Sequence, residues 1–171
     1  MNRGILAVVC AAAVALTIFP VSPAGAVVVD VIPSQMIAAD AGTEFRATPQ
    51  FLGSNSTDPN HVAIFYAPLT LPVGATITKV VLYYQGDPQG ETWLFLRRAK
   101  IMTGSSDDTD QVLAHVSNLT TSQPGVIAAI LPFTPGAVQV VQKGWTYYLM
   151  LQLESNAPQF YGAKVTYTPA P

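Results

Sequence analysis

Three aspartates, Asp107, Asp108 and Asp110, form the one acidic cluster of the chain. Asp-x-Asp spacing can set two carboxylates on one cation, and hard cations such as Ca²⁺ take oxygen ligands. The calcium-loop pattern fails here, because no glycine follows at the required place and Leu119 stands where the bidentate glutamate belongs. The expected state is therefore a solvated acidic loop and no cofactor, with a Ca²⁺ site as the alternative. His61 and His115 are the only histidines. A zinc site needs three or four ligands, and a hydrolytic triad needs a histidine beside a nucleophile and a carboxylate. Neither His-Glu-x-x-His nor Gly-x-Ser-x-Gly occurs. The glutamates are Glu44, Glu91 and Glu154. Two of them could in principle flank a glycosidic bond, yet nothing in the spacing selects a pair.

The aromatic residues are more suggestive than the titratable ones. Trp93, Trp145, Tyr147, Tyr148, Tyr161 and Tyr167 all fall in runs that read as β-strands. Core packing is the ordinary fate of such rings. Trp145, Tyr147 and Tyr167 sit on apolar faces and are expected inside. Tyr83 and Tyr148 point the other way. With Trp93 they are the candidates for a ligand or interface surface, where rings would stack on the C–H faces of a sugar.

The elements that would position these residues are strands throughout. Leu71 to Gly86 is the anchor. Pro72 and Gly74 make a tight turn, and the run from Ala75 to Tyr84 is rich in β-branched and aromatic residues. Strict alternation puts Thr76, Thr78, Val80, Leu82 and Tyr84 on one face and Ile77, Lys79, Val81 and Tyr83 on the other. Turn residues follow at 85–90, and a second strand starts at Glu91, so a hairpin is the simplest connection. Further strands are read at 27–32, 61–71, 111–117, 126–133, 145–154 and 161–168, with a short one at 137–141. In the 61–71 run, Val62, Ile64 and Tyr66 share a face. In the last run, Tyr161, Ala163, Val165 and Tyr167 are expected inward. About eight strands at ten-residue spacing, without an amphipathic helix, predict an all-β fold: an antiparallel β-sandwich of jelly-roll type.

The ends and the composition bound the biology. Arg3, the uncharged apolar run from Ile5 to Phe19, and Ala24-Gly25-Ala26 make a secretory signal peptide over residues 1–26. Residues 27–171 then form a single domain, secreted and extracellular, with no membrane span. That mature chain contains no cysteine, since Cys10 lies in the signal. Stability must then come from a packed core. Net charge is −2, and 11% of residues are charged. Basic residues cluster only at Arg97, Arg98 and Lys100, so nucleic-acid binding is disfavoured.

The segments Leu71-Pro72, Gly74-Ala75 and Ile77-Thr78, then Val80, Leu82, Tyr83 and Tyr84, then Tyr147 to Leu153, then Tyr161, Gly162, Val165 and Tyr167 carry a resemblance. The pattern, LPxGATIT … VxLYY … YGxxVxY, is similar to one in small exported bacterial β-sandwich proteins of unassigned function. The resemblance covers roughly 64–167 and implies a fold and an address. It transfers no catalytic residue. Several strands are apolar on both faces, which points to a covered surface: a homo-oligomer contact, another partner, or a third layer made by residues 34–53. The expected function is a non-catalytic binding or structural module that engages another copy, a cell-surface partner or a glycan. A secreted hydrolase acting on polysaccharide or cell wall is the alternative.

Overall fold

A computed structural model describes residues 25–39, 43–55, 61–86, 90–100, 110–117, 119–120, 124–154 and 158–170. Within them lie eleven strands: β1 (Val27–Val31), β2 (Ile37–Ala38), β3 (Phe45–Ala47), β4 (Leu52–Ser54), β5 (Val62–Leu69), β6 (Thr76–Gln85), β7 (Thr92–Lys100), β8 (Gln111–Val116), β9 (Ile127–Ile130), β10 (Trp145–Glu154) and β11 (Gln159–Thr168). One sheet has the order β3-β4-β11-β6-β9, with β1 also paired to β11. The other has the order β2-β5-β10-β7-β8. All pairings are antiparallel.

From β4 onward the chain alternates between the sheets, except for β7 to β8, and this is jelly-roll connectivity. The expected hairpin between β6 and β7 is corrected by that topology. The two strands lie in different sheets, so the chain crosses the sandwich between Gln85 and Thr92. Turn residues permit both routes; the partners available to each strand decide. The three strands outside the expected runs, β2, β3 and β4, are short, and the expected short strand at 137–141 is corrected to a single bridge between Val140 and Thr76. Residues 34–53 supply β2 to one sheet and β3 and part of β4 to the other. They add to the edges of both layers and make no third one.

The core lies between the sheets. β10 contributes Tyr147, Leu149, Leu151 and Leu153 from one face, as the alternation requires. β7 contributes Leu94 and Leu96, and β5 contributes Ala63, Phe65, Ala67 and Leu69. The facing sheet supplies Ile77, Val80, Leu82, Phe160, Ala163 and Val165. Val62, Ile64 and Tyr66 therefore point away from the core, although they are as apolar as the set that points in.

Three bulges explain where simple alternation fails. Tyr167 pairs with Ile77 and Thr166 with Lys79, so Thr78 is an extra residue in β6. Ile77 thereby returns to the inner face with Val80. Leu96 pairs with Ala114 and Arg97 with Val112, so Leu113 is extra in β8. Leu113 and Ala114 are then both buried, and Val112 moves to the outer side. Phe160 pairs with Tyr84 and Gly162 with Tyr83, so Tyr161 is extra in β11. Tyr161 is consequently half-buried on the outer side, where its hydroxyl meets Gln85 and Gln159 at 3.2 and 2.9 Å. The inward Tyr161 of strict alternation is thus corrected.

Gly162 makes the last bulge possible. Its φ is +150°, and a Cβ there would sit 3.1 Å from the carbonyl oxygen of Val31. Gly162→Ala should lower stability by about 1–3 kcal/mol through that strain. Leu151→Ala, which empties a fully buried site, should cost about 2–5 kcal/mol. Urea unfolding of both variants checks the pair. A Gly162→Ala protein as stable as the parent would mean that the bulge is not constrained.

Candidate functional site

The outer face of the β2-β5-β10-β7-β8 sheet collects the aromatic residues that the core does not use. Register places them in rows. Ile37, Tyr66, Met150, Phe95 and His115 form one row across all five strands. Ile64, Gln152 and Trp93 form the next. Pro68, Tyr148, Arg97 and Val112 form the row on the other side. With strands about 4.8 Å apart and same-face residues about 7 Å apart, the three rows span roughly 19 by 14 Å.

The rings on this face touch in two groups, a run of three and a separate pair. Trp93 lies edge-on to Phe95 at 6.2 Å, and Phe95 stacks on His115 at 5.9 Å. Tyr66 meets Tyr148 at 5.8 Å in an edge contact. Trp93, Phe95 and Tyr148 are half-buried, and Tyr66 is 36% exposed. Such contacts favour preset ring orientations, worth about 0.5–1.5 kcal/mol per pair.

Polar groups are fixed between the rings. Arg97 and Asp110 form a two-point ion pair, Nη2 to Oδ2 at 2.6 Å and Nε to Oδ1 at 3.3 Å. Both are about a quarter exposed, so the pair stabilises the fold by only about 1 kcal/mol. Its main effect is orientation. Asp110 Oδ1 also accepts the Tyr148 hydroxyl at 2.8 Å, and Arg97 Nη1 lies 3.4 Å from Met150 Sδ. The Trp93 indole N–H donates to Glu91 Oε2 at 2.7 Å. Beside it, Val62, Glu91, Trp93, Gln152 and Glu154 line a cavity of about 80 Å³.

The expected site residues are thus divided. Trp93 and Tyr148 share this face. Tyr83 lies on the outside of the opposite sheet, 5.8 Å from Lys164 Nζ. There it borders a groove of about 280 Å³ with Tyr161, Gly162, Asp30 and Lys164. Tyr66, Phe95 and Gln152 belong to the first face and were not singled out by sequence. The signal for Tyr66 was present in the two-sided apolar character of β5.

Asp110 is occupied by Arg97 and Tyr148, and Asp107 and Asp108 lie outside the described residues. Among the described residues no three acids, histidines or cysteines are grouped to hold a metal. His61 and His115 do not meet, because β5 and β8 are separated by β10 and β7. His115 is exposed on the run of three, while the buried Nε2 of His61 has no hydrogen-bond partner among the described residues. Glu91 and Glu154 do come together at the small cavity, which the sequence could not select.

No family model matches the chain, and no curated protein matches it. Among solved structures, the chain is similar to the carbohydrate-binding module TmCBM61 in complex with beta-1,4-galactotriose. That similarity is 10% in sequence, covers 84% of this chain and 86% of that one, and has a TM-score of 0.36. A likeness so remote says nothing about ligand or site.

The Tyr148 hydroxyl carries a prediction of its own. Burial first, then the hydrogen bond to Asp110 and its negative charge, push its pKa well above the ordinary tyrosine value of 10. A raised pKa means that the folded chain keeps a proton the unfolded chain releases. The stabilising effect is complete below about pH 10 and is lost as pH rises beyond it. Spectrophotometric titration should find the Tyr148 phenol still protonated near pH 11. Tyr148→Phe should remove part of the alkaline fall in stability. An unchanged alkaline stability profile would contradict the assignment.

Proposed function

We propose that this chain is an exported, non-catalytic glycan-binding module that binds with the outer face of the β2-β5-β10-β7-β8 sheet. The observation that carries the reading is the mixture on that face. Trp93, Phe95, Tyr66 and Tyr148 present ring surface, and Arg97, Asp110, Glu91, Gln152 and Glu154 stand between or beside them. A sugar has the matching chemistry: C–H faces for the rings and hydroxyls for the carboxylates, guanidinium and amide. The centre of a protein–protein interface is instead depleted of charged residues. The ion pair and the ring contacts hold the groups in place before binding, which reduces the entropy lost on association.

Export rests on Arg3, the apolar run after it and Ala24-Gly25-Ala26. Cleavage after Ala26 would leave β1 whole, since its first paired residue is Val27, opposite Tyr167. A cell-surface or extracellular address suits a glycan ligand. Self-association through the same face is the competing use of its apolar surface.

The hydrolase reading has one observation in its favour, the meeting of Glu91 and Glu154 at a cavity. Its size weighs against it. About 80 Å³ is well short of the 300–1,000 Å³ typical of small-ligand sites, and Glu91 is already bonded to Trp93. The open face beside it suits adhesion better than bond cleavage.

Affinity electrophoresis through gels holding soluble β-glucan, xylan, galactan or mannan tests the proposal. At least one polysaccharide should retard the protein. Trp93→Ala and Tyr66→Ala should each weaken retardation about tenfold, as loss of an aromatic hot spot does, and Tyr83→Ala should leave it unchanged. Retardation by none of the four, with concentration-dependent dimerisation by sedimentation, would replace the glycan with a second copy. Release of reducing sugar, abolished by Glu91→Gln or Glu154→Gln, would restore the hydrolase.

A further inference from the structure

Arg98 is a buried cation that the ring face does not use. It points inward from β7, is 5% exposed, and no acid among the described residues pairs with it. A buried charge is costly unless hydrogen bonds satisfy it, and here the bonds come from neutral groups among the described residues. The guanidinium is held rigidly. It lies 4.1 Å from the Trp145 ring centroid. Nε and Nη2 donate to Gln111 Oε1 at 2.9 and 2.6 Å, and Nη1 donates to Gln142 Oε1 at 2.9 Å. Gln142 is itself anchored, its backbone N–H donating to the Tyr147 hydroxyl at 3.0 Å. Arginine has five N–H donors. Among the described residues these three bonds leave one hydrogen on each terminal nitrogen.

Those terminal nitrogens belong to a side chain that borders a groove of about 490 Å³. Leu113, Thr134, Pro135 and Ala137 are among its other walls. Thr134, one of those walls, carries a buried hydroxyl with no hydrogen-bond partner among the described residues, which ordinarily costs about 1–3 kcal/mol. Two further cations stand at the same end of the sheet: Lys100 pairs with Trp145, and Lys143 lies in the preceding turn.

We propose that this groove is a site for a carboxylate carried on a small, ring-sized molecule. The carboxylate would take the two remaining guanidinium hydrogens, and the planar fork suits that geometry. Thr134 would supply a hydroxyl bond, and the apolar walls would cover the rest. The volume falls within the range of small-molecule sites. The groove is walled by Arg98, the start of β8 and residues 134–138, and none of the four rings borders it, so it stands or falls separately from the outer aromatic face.

The test is an NMR titration of the purified protein with glucuronate, with glucose as the uncharged ring of equal size and acetate as the bare carboxylate. Glucuronate should shift the Arg98 Nε–H and Trp145 indole resonances saturably, acetate should shift them more weakly, and glucose should not. Thr134→Val should weaken glucuronate binding about threefold, and Arg98→Lys, which keeps charge but loses the fork, about tenfold. Polysaccharide retardation should be unaltered in Thr134→Val. Absence of saturable shifts in the parent protein overturns the proposal whether or not the Arg98 variant folds. Equal response to glucose, or glucuronate shifts confined to Trp93 and Tyr66, overturns it as well.

Discussion

The structure depends on one apolar layer shared by two sheets. Leu149, Leu151 and Leu153 of β10, with Leu94 and Leu96 of β7 and Phe65 of β5, form one side. Ile77, Val80, Leu82, Phe160 and Val165 form the other. Neither sheet can keep its inner rows from water alone, so each needs the other. Residues 25–170 contain no cysteine, and nothing covalent supplements that contact. The requirement that inner rows meet also fixes the phase of every long strand. It therefore decides which residues are released to the outside.

The aromatic face is a consequence of that phase. Once Phe65, Leu94 and Leu149 are committed inward, Tyr66, Trp93, Phe95 and Tyr148 have to appear on the opposite side in register. Arg97 and Asp110 then tie β7 to the start of β8 across the same surface. Ring and ion-pair contacts give the face a fixed shape, so a ligand meets groups already in position. At the sandwich end the same rule turns Arg98 inward, where Trp145 and two glutamines receive it.

Legibility in the sequence followed the physics of alternation. β10 is readable because Tyr147, Leu149, Leu151 and Leu153 keep one phase without interruption, whereas the first half of β7 is apolar on both faces. Strict alternation misplaces residues near Thr78, Leu113 and Tyr161 in β6, β8 and β11, because a bulge adds one residue and reverses the phase beyond it. A glycine inside a strand run, Gly162, is a sequence sign of such a place. β5 misled for a different reason. Val62, Ile64 and Tyr66 are no less apolar than Ala63, Phe65 and Ala67, so hydropathy does not say which set goes in. Partner strands decide, and sequence does not display them. Phase alone sets Tyr148 and Tyr83 apart from the inward rings, but that Tyr83 belongs to the opposite sheet requires the topology. The same holds for the meeting of Glu91 and Glu154, which are far apart in the chain and brought together by neighbouring strand ends.

The central claim is that the outer face of the β5-β10-β7 strands is a pre-shaped binding surface. Chemical-shift mapping with a soluble oligosaccharide of whichever polysaccharide retards the protein tests it most directly. The account predicts perturbations centred on Trp93, Phe95, Tyr66 and Tyr148, with the inner leucines silent. Perturbations centred on Tyr83 and Tyr161 of the opposite sheet, with the four rings unmoved, would contradict it.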